Sequence, residues 1–173
     1  MRGIAVNHWR QSPGLLLKVE VVRIADKALT SAKLAGDAYK RVAVSAWIVC
    51  ALAERKKVNQ AQKVVQYLLE EAKQIEHPVS KTGALVMLWA AVIILPHSIK
   101  NPVQEALLSA CAVANSWKSG SIMREVALVV AKDNPLQAQR IIDSMRESVY
   151  KRQAQKKLDA GQTETVQFSF PPF

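Results

Sequence analysis

No phenylalanine stands before position 168, although half of the 173 residues are apolar. Glycine and proline are scarce as well, at six and seven. That scarcity argues against the turn-dense pattern of a sandwich or barrel, and the abundance of Ala, Leu, Val, Lys and Gln favours helix. Cys50 and Cys111 lie in separate apolar runs, with no Cys-x-x-Cys pair and no Cys/His cluster at ligand spacing. Neither a disulfide framework nor a zinc site is expected from them; buried thiols are. The longest uncharged apolar run, Ala84 to Leu95, stops at Pro96 after twelve residues, short of the roughly 20 that a membrane span needs. The stretch from Gly14 to Val22 is interrupted by Lys18 and Glu20 and has no small-residue cleavage site, so it does not read as a secretory signal. These absences together predict a soluble, cytoplasmic, all-α protein built as one domain.

Recognisable chemistry is missing too. His77 and His97 flank one predicted helix and so stand about 27 Å apart, too far to share a ligand. Both adjoin prolines, which suits turn and capping roles. Glu70 and Glu71 are adjacent on an amphipathic helix and point different ways, while Asp143 and Glu147 lie among Arg140 and Arg146 as solvated helix charges. Gly83, Gly120 and Gly161 are isolated, and Lys118-Ser119-Gly120-Ser121 lacks phosphate-loop spacing. No catalytic residue, cofactor or metal is predicted, and the expectation is a protein that is not an enzyme.

What is abundant is positive charge. The net charge is +10, and residues 1–58 hold eleven Lys/Arg against four Asp/Glu. Lys40, Arg41, Arg55, Lys56 and Lys57 mark the two ends of one helix, and Lys151, Arg152, Lys156 and Lys157 share the last helical segment. All nine are candidate contacts for an anion or nucleic acid, with a solvated helix surface as the alternative use of the same charges. The helix and sheet signatures of double-strand or RNA readout are absent.

A repeat organises the middle of the chain. Leu15, Val19, Val22, Ala25, Leu29 and Ala32 follow helical spacing. Ala38 to Glu54 is then apolar nearly all round, a helix to be buried between neighbours, and an amphipathic helix follows from Asn59 to about Glu76. The alternation recurs as Val79–Leu95, Pro102–Lys118, Ser121–Lys132 and a long helix from Pro135 onward. Asn59-Gln60-Ala61-Gln62 returns as Asn101-Pro102-Val103-Gln104 and Asn134-Pro135-Leu136-Gln137, a signature read here as helix capping by Asn. Trp47 and Trp89, 42 residues apart, are read as matching core residues. Alternating buried and amphipathic helices at such a period are what stacked helix pairs require. Over residues 15 to 150 the chain resembles the tetratricopeptide-like and HEAT-like helical-repeat solenoids in architecture. It does not carry the tetratricopeptide Trp-x-x-Leu-Gly-x-x-Tyr pattern or the regular Asp/Arg placement of HEAT units. The resemblance implies an α-solenoid-like, right-handed array of three to four antiparallel helix pairs that holds a protein partner on a groove.

The predicted organisation is an irregular arm over 1–14, a helical-repeat domain over 15–160 and an extended tail over 161–173. Val166, Phe168 and Phe170 alternate, so extended backbone puts them on one side. Pro171 and Pro172 forbid helix. Val166, Phe168, Phe170, Pro172 and Phe173 are the candidate partner-binding residues of the tail, whose alternatives are docking in cis, docking in another copy or a partner, and a disordered end. Pro172-Phe173 is similar to the last two residues of bacterial single-stranded-DNA-binding proteins, whose tails dock partner proteins, without the acidic stretch that precedes that dipeptide there.

Overall fold

The computed structural model describes residues 18–116 and 120–162. The arm over 1–14, the expected helix start at Leu15 and the tail residues Val166, Phe168, Phe170, Pro172 and Phe173 lie outside the described residues. Among those described, all regular structure is helical: α1 Lys18–Lys33, α2 Ala38–Glu54, α3 Val58–Lys73, α4 Pro78–Val92, α5 His97–Ser116, α6 Gly120–Val130, α7 Pro135–Ser144 and α8 Val149–Asp159. The protein is therefore all-α, as its composition and periodicity require.

Contacts follow the apolar patterning. α2 and α4, apolar almost all round, pack against each other, and each also packs on the amphipathic helix that follows it, α3 and α5 respectively. α6 lies against α4, α7 and α8. Arg41 at the start of α2 reaches Glu71 at the end of α3, so these two run antiparallel. α8 runs parallel to α6, because Tyr150 meets Gly120 and, a turn later, Gln153 accepts a hydrogen bond from Arg124. The approach at Gly120 is close: a Cβ there would stand 2.9 Å from the Tyr150 ring. A line of contacts crosses the starts of three helices, since the α carbon of Gly83 points between Tyr39 of α2 and Ile122 of α6. Between the helices, Leu52, Leu68, Leu88, Trp89, Leu107, Met123 and Ile142 are fully buried.

The helix ends explain themselves locally, and one of them is strained. Asp37 caps α2 by accepting from Tyr39 N, and Ser148 caps α8 by accepting from Lys151 N. α2 closes with Lys57 N donating to Leu52 O and Lys56 N to Ala53 O, which puts Lys56 at φ 57°. α8 closes in the same way through Gln162 and Gly161, at φ 65°. Glycine accepts that left-handed conformation without steric cost, whereas lysine does not. Replacing the exposed Lys56 with glycine is therefore expected to raise unfolding free energy by about 0.5–1 kcal/mol, measurable by urea denaturation; a loss of stability would mean that the Lys56 side chain contributes more than its backbone costs.

Three expectations need correction. The Asn-x-x-Gln signature caps a helix only at Asn134, whose side chain accepts from Gln137 N at 3.0 Å. Asn59 lies one residue inside α3, which begins after Lys57 without a side-chain cap. Asn101 and Pro102 lie within α5, which starts earlier because Pro96 O accepts from Ile99 N and Lys100 N. The long last helix is two helices, broken where Met145 turns to extended backbone (ψ 143°) and Ser148 starts a new cap. Finally, Trp47 and Trp89 are not equivalent: α2 and α4 start at positions 38 and 78, so Trp47 matches Met87 and Trp89 matches Val49. A two-residue offset rotates a side chain by about 200° around a helix, and Trp89 is accordingly fully buried while Trp47 is half-buried.

Candidate interaction face

The forty-residue register between α2 and α4 brings a second set of residues into line. On α2, Tyr39, Ala43, Trp47, Cys50 and Glu54 follow i, i+4, i+8, i+11, i+15 and form one stripe. Their counterparts on α4 and its C-terminal turn are Val79, Gly83, Met87, Ala90 and Ile94. Unlike the buried positions between them, these residues are half-buried or exposed, from Ala43 and Met87 to Tyr39 at 37 % and Ile94 at 62 %. Because Tyr39 adjoins Gly83, the two stripes are neighbours on one side of the molecule. They make a partly exposed surface that is apolar apart from Glu54. Periodicity could have revealed it: both helices are apolar beyond what one buried face needs, and the excess falls at these positions. On α6 the same side carries exposed Ser121 and half-buried Ile122 and Glu125, and Lys132 is exposed just past the helix end. The apolar character therefore belongs to α2 and α4.

The nine candidate basic residues are scattered and partly committed. Arg41 is held by Glu71 at 2.6 Å, by Ala35 O at 2.7 Å and by Gln74 at 3.3 Å, and the bond to the Glu71 carboxylate raises its pKa further. Burial, with the neighbouring Glu71 charge, raises the pKa of the Tyr67 hydroxyl beside them. Lys151 donates to Asp143 O and Met145 O, satisfying the end of α7. Arg152 pairs loosely with Glu147 at 3.9 Å. Lys40, Lys56 and Lys156 are exposed, and Arg55 and Lys157 half-buried. Lys57 joins Arg23, Lys27, Thr30, Ser31, Asp26 and Val22 around an open cleft of about 800 Å³ beside α1. Sequence reasoning missed Arg23 and Lys27 because only folding sets α1 beside the α2–α3 turn. A smaller cleft of about 430 Å³ lies between α3, α4 and α5, with Leu69, Lys73, Lys81, Pro102, Ala106 and Val113 among its walls.

Other polar groups have structural roles. His77 Nδ1 accepts from Ser80 N and caps α4, as its position beside Pro78 suggested, and His97 begins α5. Among the described residues no group of three His, Cys, Asp or Glu could hold a metal ion, and no helix is long and apolar enough to cross a membrane. Cys111 is buried with its Sγ 3.2 Å from Met123 Sδ, whereas Cys50 is only half-buried. Burial pushes both thiols up from 9.0 to about 11, assisted at Cys50 by Glu54. The thiolate reacts, not the thiol. Alkylation of Cys111 at pH 8 is therefore expected to be on the order of a hundredfold slower than that of a free cysteine, with full reactivity in denaturant. Unfolding returns these thiols to about 9.0, so the stability they contribute is complete below pH 9 and lost as pH rises toward 11.

Comparison with protein-family models, with curated proteins and with solved structures gave no match.

Proposed function

We propose that this protein is a non-enzymatic interaction scaffold: an α-solenoid-like array that holds an extended segment of a protein partner on the α2/α4 face, with the aromatic tail as a second docking element. The observation that carries this reading is the paired stripe at forty-residue spacing. Apolar side chains recur at partly exposed positions of two neighbouring helices; Cys50, Met87 and Ala90 pack one side against the core and leave the other uncovered. Apolar anchors at regular spacing on a helical surface are the usual means of recognising a peptide, and a contiguous exposed apolar surface marks an interaction site more often than chance does.

The test is selection from a displayed library of random twelve-residue peptides on the full-length chain. Enriched peptides should contain aromatic or aliphatic anchors. Met87→Asp, which places a charge on a half-buried surface position, should abolish their binding while leaving the far-UV helical signal unchanged. Enriched peptides that bind the Met87→Asp chain as well as the native one would refute the α2/α4 face as the docking surface.

A second reading rests on the cleft beside α1, where Arg23, Lys27 and Lys57 come together with the hydroxyls of Thr30 and Ser31. Three cations and the Ser31 hydroxyl suit phosphate oxygens, while the Thr30 hydroxyl already donates to Asp26 O at 2.8 Å. On this reading the chain binds single- or double-stranded nucleic acid without sequence readout, and affinity falls steeply between about 50 and 200 mM salt. Lack of retention on DNA and RNA at about 50 mM salt eliminates it.

A further inference from the structure

We infer that two copies of this chain pair through the outer surface of α2, antiparallel, about a two-fold axis at Trp47. The inference rests on the reading of the α2/α4 face as an interaction surface and names a second copy as a partner that fits it.

The placement of charge on α2 carries the argument. On the side away from α4, Lys40, Val44 and Ala51 run beside the stripe of Ala43, Trp47, Cys50 and Glu54. Lys40 and Glu54 are exposed, and Arg41 is turned inward to Glu71. The outer surface of α2 is therefore apolar between one cation at its start and one anion at its end. Both charges have the wrong sign for α2 itself. A helix N-terminus favours an anion and a C-terminus a cation, yet the first turn of α2 holds no acidic residue and the last turn no basic one. Among the described residues neither Lys40 nor Glu54 takes part in an ion pair. Nor do they serve each other, because the helix between them sets them about 21 Å apart, about twice the screening length at 0.1 M salt.

A second copy gives both charges a partner. In a two-fold interface, residue i meets residue j while j meets i. Antiparallel pairing of α2 with itself sets each Lys40 beside the second copy's Glu54, whereas parallel pairing would set like charges together at both ends. The apolar residues have the same symmetry. Lys40 and Glu54 each stand seven residues from Trp47, Ala43 and Ala51 four, and Val44 and Cys50 three. The axis therefore passes Trp47, where the two indole rings stack, and the small side chains of Ala43 and Ala51 on either side let the backbones approach. Beside α2, the chain of α4 is uncharged from Thr82 to Leu95, so Met87, Ala90 and Ile94 extend the apolar contact across the same axis without like-charge repulsion.

Sedimentation velocity on full-length chains, over about a hundredfold range of concentration, tests this. The native chain should form a dimer that weakens as salt is added. Lys40→Glu and Glu54→Lys each set like charges at both ends of the pair, and each should weaken dimerisation at least about tenfold. Both substitutions give α2 a charge that its own dipole favours, so the far-UV helical signal should be unchanged. Mixing the two variants should restore a dimer, now a heterodimer with opposite charges at both ends. The double variant Lys40→Glu/Glu54→Lys should dimerise like the native chain. A monomeric native chain, a dimer indifferent to either reversal, or variants that do not pair when mixed overturns the inference. Should a reversal lose helical signal, zero-length carbodiimide coupling of the native dimer decides: a linked Lys40–Glu54 peptide, out of reach within one copy, supports the pairing, and its absence overturns it. If library peptides bind the face of a monomeric native chain, the docking surface stands and the second copy falls. A charge-dependent dimer that binds no library peptide keeps the second copy and removes the peptide; if the chain neither dimerises nor binds a peptide, both readings fall.

Discussion

Trp89→Ala is expected to lower unfolding free energy by about 3–5 kcal/mol, the range for removing a large aromatic from a packed core. Trp89 is wholly buried in α4, the helix that touches α2, α5 and α6, so no surrounding element can collapse into the vacated space without moving several others. For a chain of this size the change corresponds to a fall in Tm of roughly 6–20 °C. The control is Trp89→Phe. Among the described residues Trp89 Nε1 has no hydrogen-bond partner, and a buried N–H left unpaired is costly, about 1–3 kcal/mol. Phenylalanine gives up some packing but also removes that donor, so its loss should be well under half that of alanine. Trp47→Ala should cost only about 1–2 kcal/mol, because the side chain is half-buried and less apolar area returns to water. Equal losses at the two tryptophans would contradict the forty-residue register and restore the equivalence suggested by their spacing of 42.

That reversal shows what can and cannot be read from the letters. Helix class, the span of α2 to the residue and the role of His77 all follow from local rules, because periodicity, Asp37 and a proline at a helix start act within one turn of the chain. The Asn-x-x-Gln signature was legible as letters but not as structure. Asn101 lies inside α5 because Pro96 had already opened that helix, and Asn59 lies inside α3 because the turn closed by Lys56 and Lys57 started α3 one residue sooner. Register was the harder quantity. A two-residue difference between neighbouring helices hardly alters an apolar pattern, yet it carries a side chain from core to surface. The basic residues illustrate the same limit: charge was visible, but the capture of Arg41 by Glu71, thirty residues away, and of Lys151 by two carbonyls depends on how helices meet. The α2/α4 stripe was implicit in helices more apolar than one buried face requires, and only the register between them turned the surplus into a surface.

Asp133→Ala should destabilise the protein by about 2–4 kcal/mol, while Lys100→Met should cost little and the double substitution should come close to native stability or exceed it. The asymmetry follows from burial. Lys100 is 6 % exposed and its Nζ lies 2.6 Å from Asp133 Oδ1, whereas the Asp133 side chain keeps 27 % of its surface in water. Lys100 also stands in the first turn of α5, where the partial positive charge of the helix N-terminus opposes a cation. Without Asp133 the ammonium has neither water nor counter-ion, and the remaining field is of the wrong sign. Without Lys100 the carboxylate turns to solvent on the loop between α6 and α7. Methionine keeps the four-atom length of the buried stem, so packing beside Ile99 and Val103, both buried, is largely retained. A double-mutant cycle by urea denaturation separates these terms. Should Lys100→Met prove as harmful as Asp133→Ala, the hydrocarbon stem and not the charge would be what anchors the start of α5 to the turn before α7.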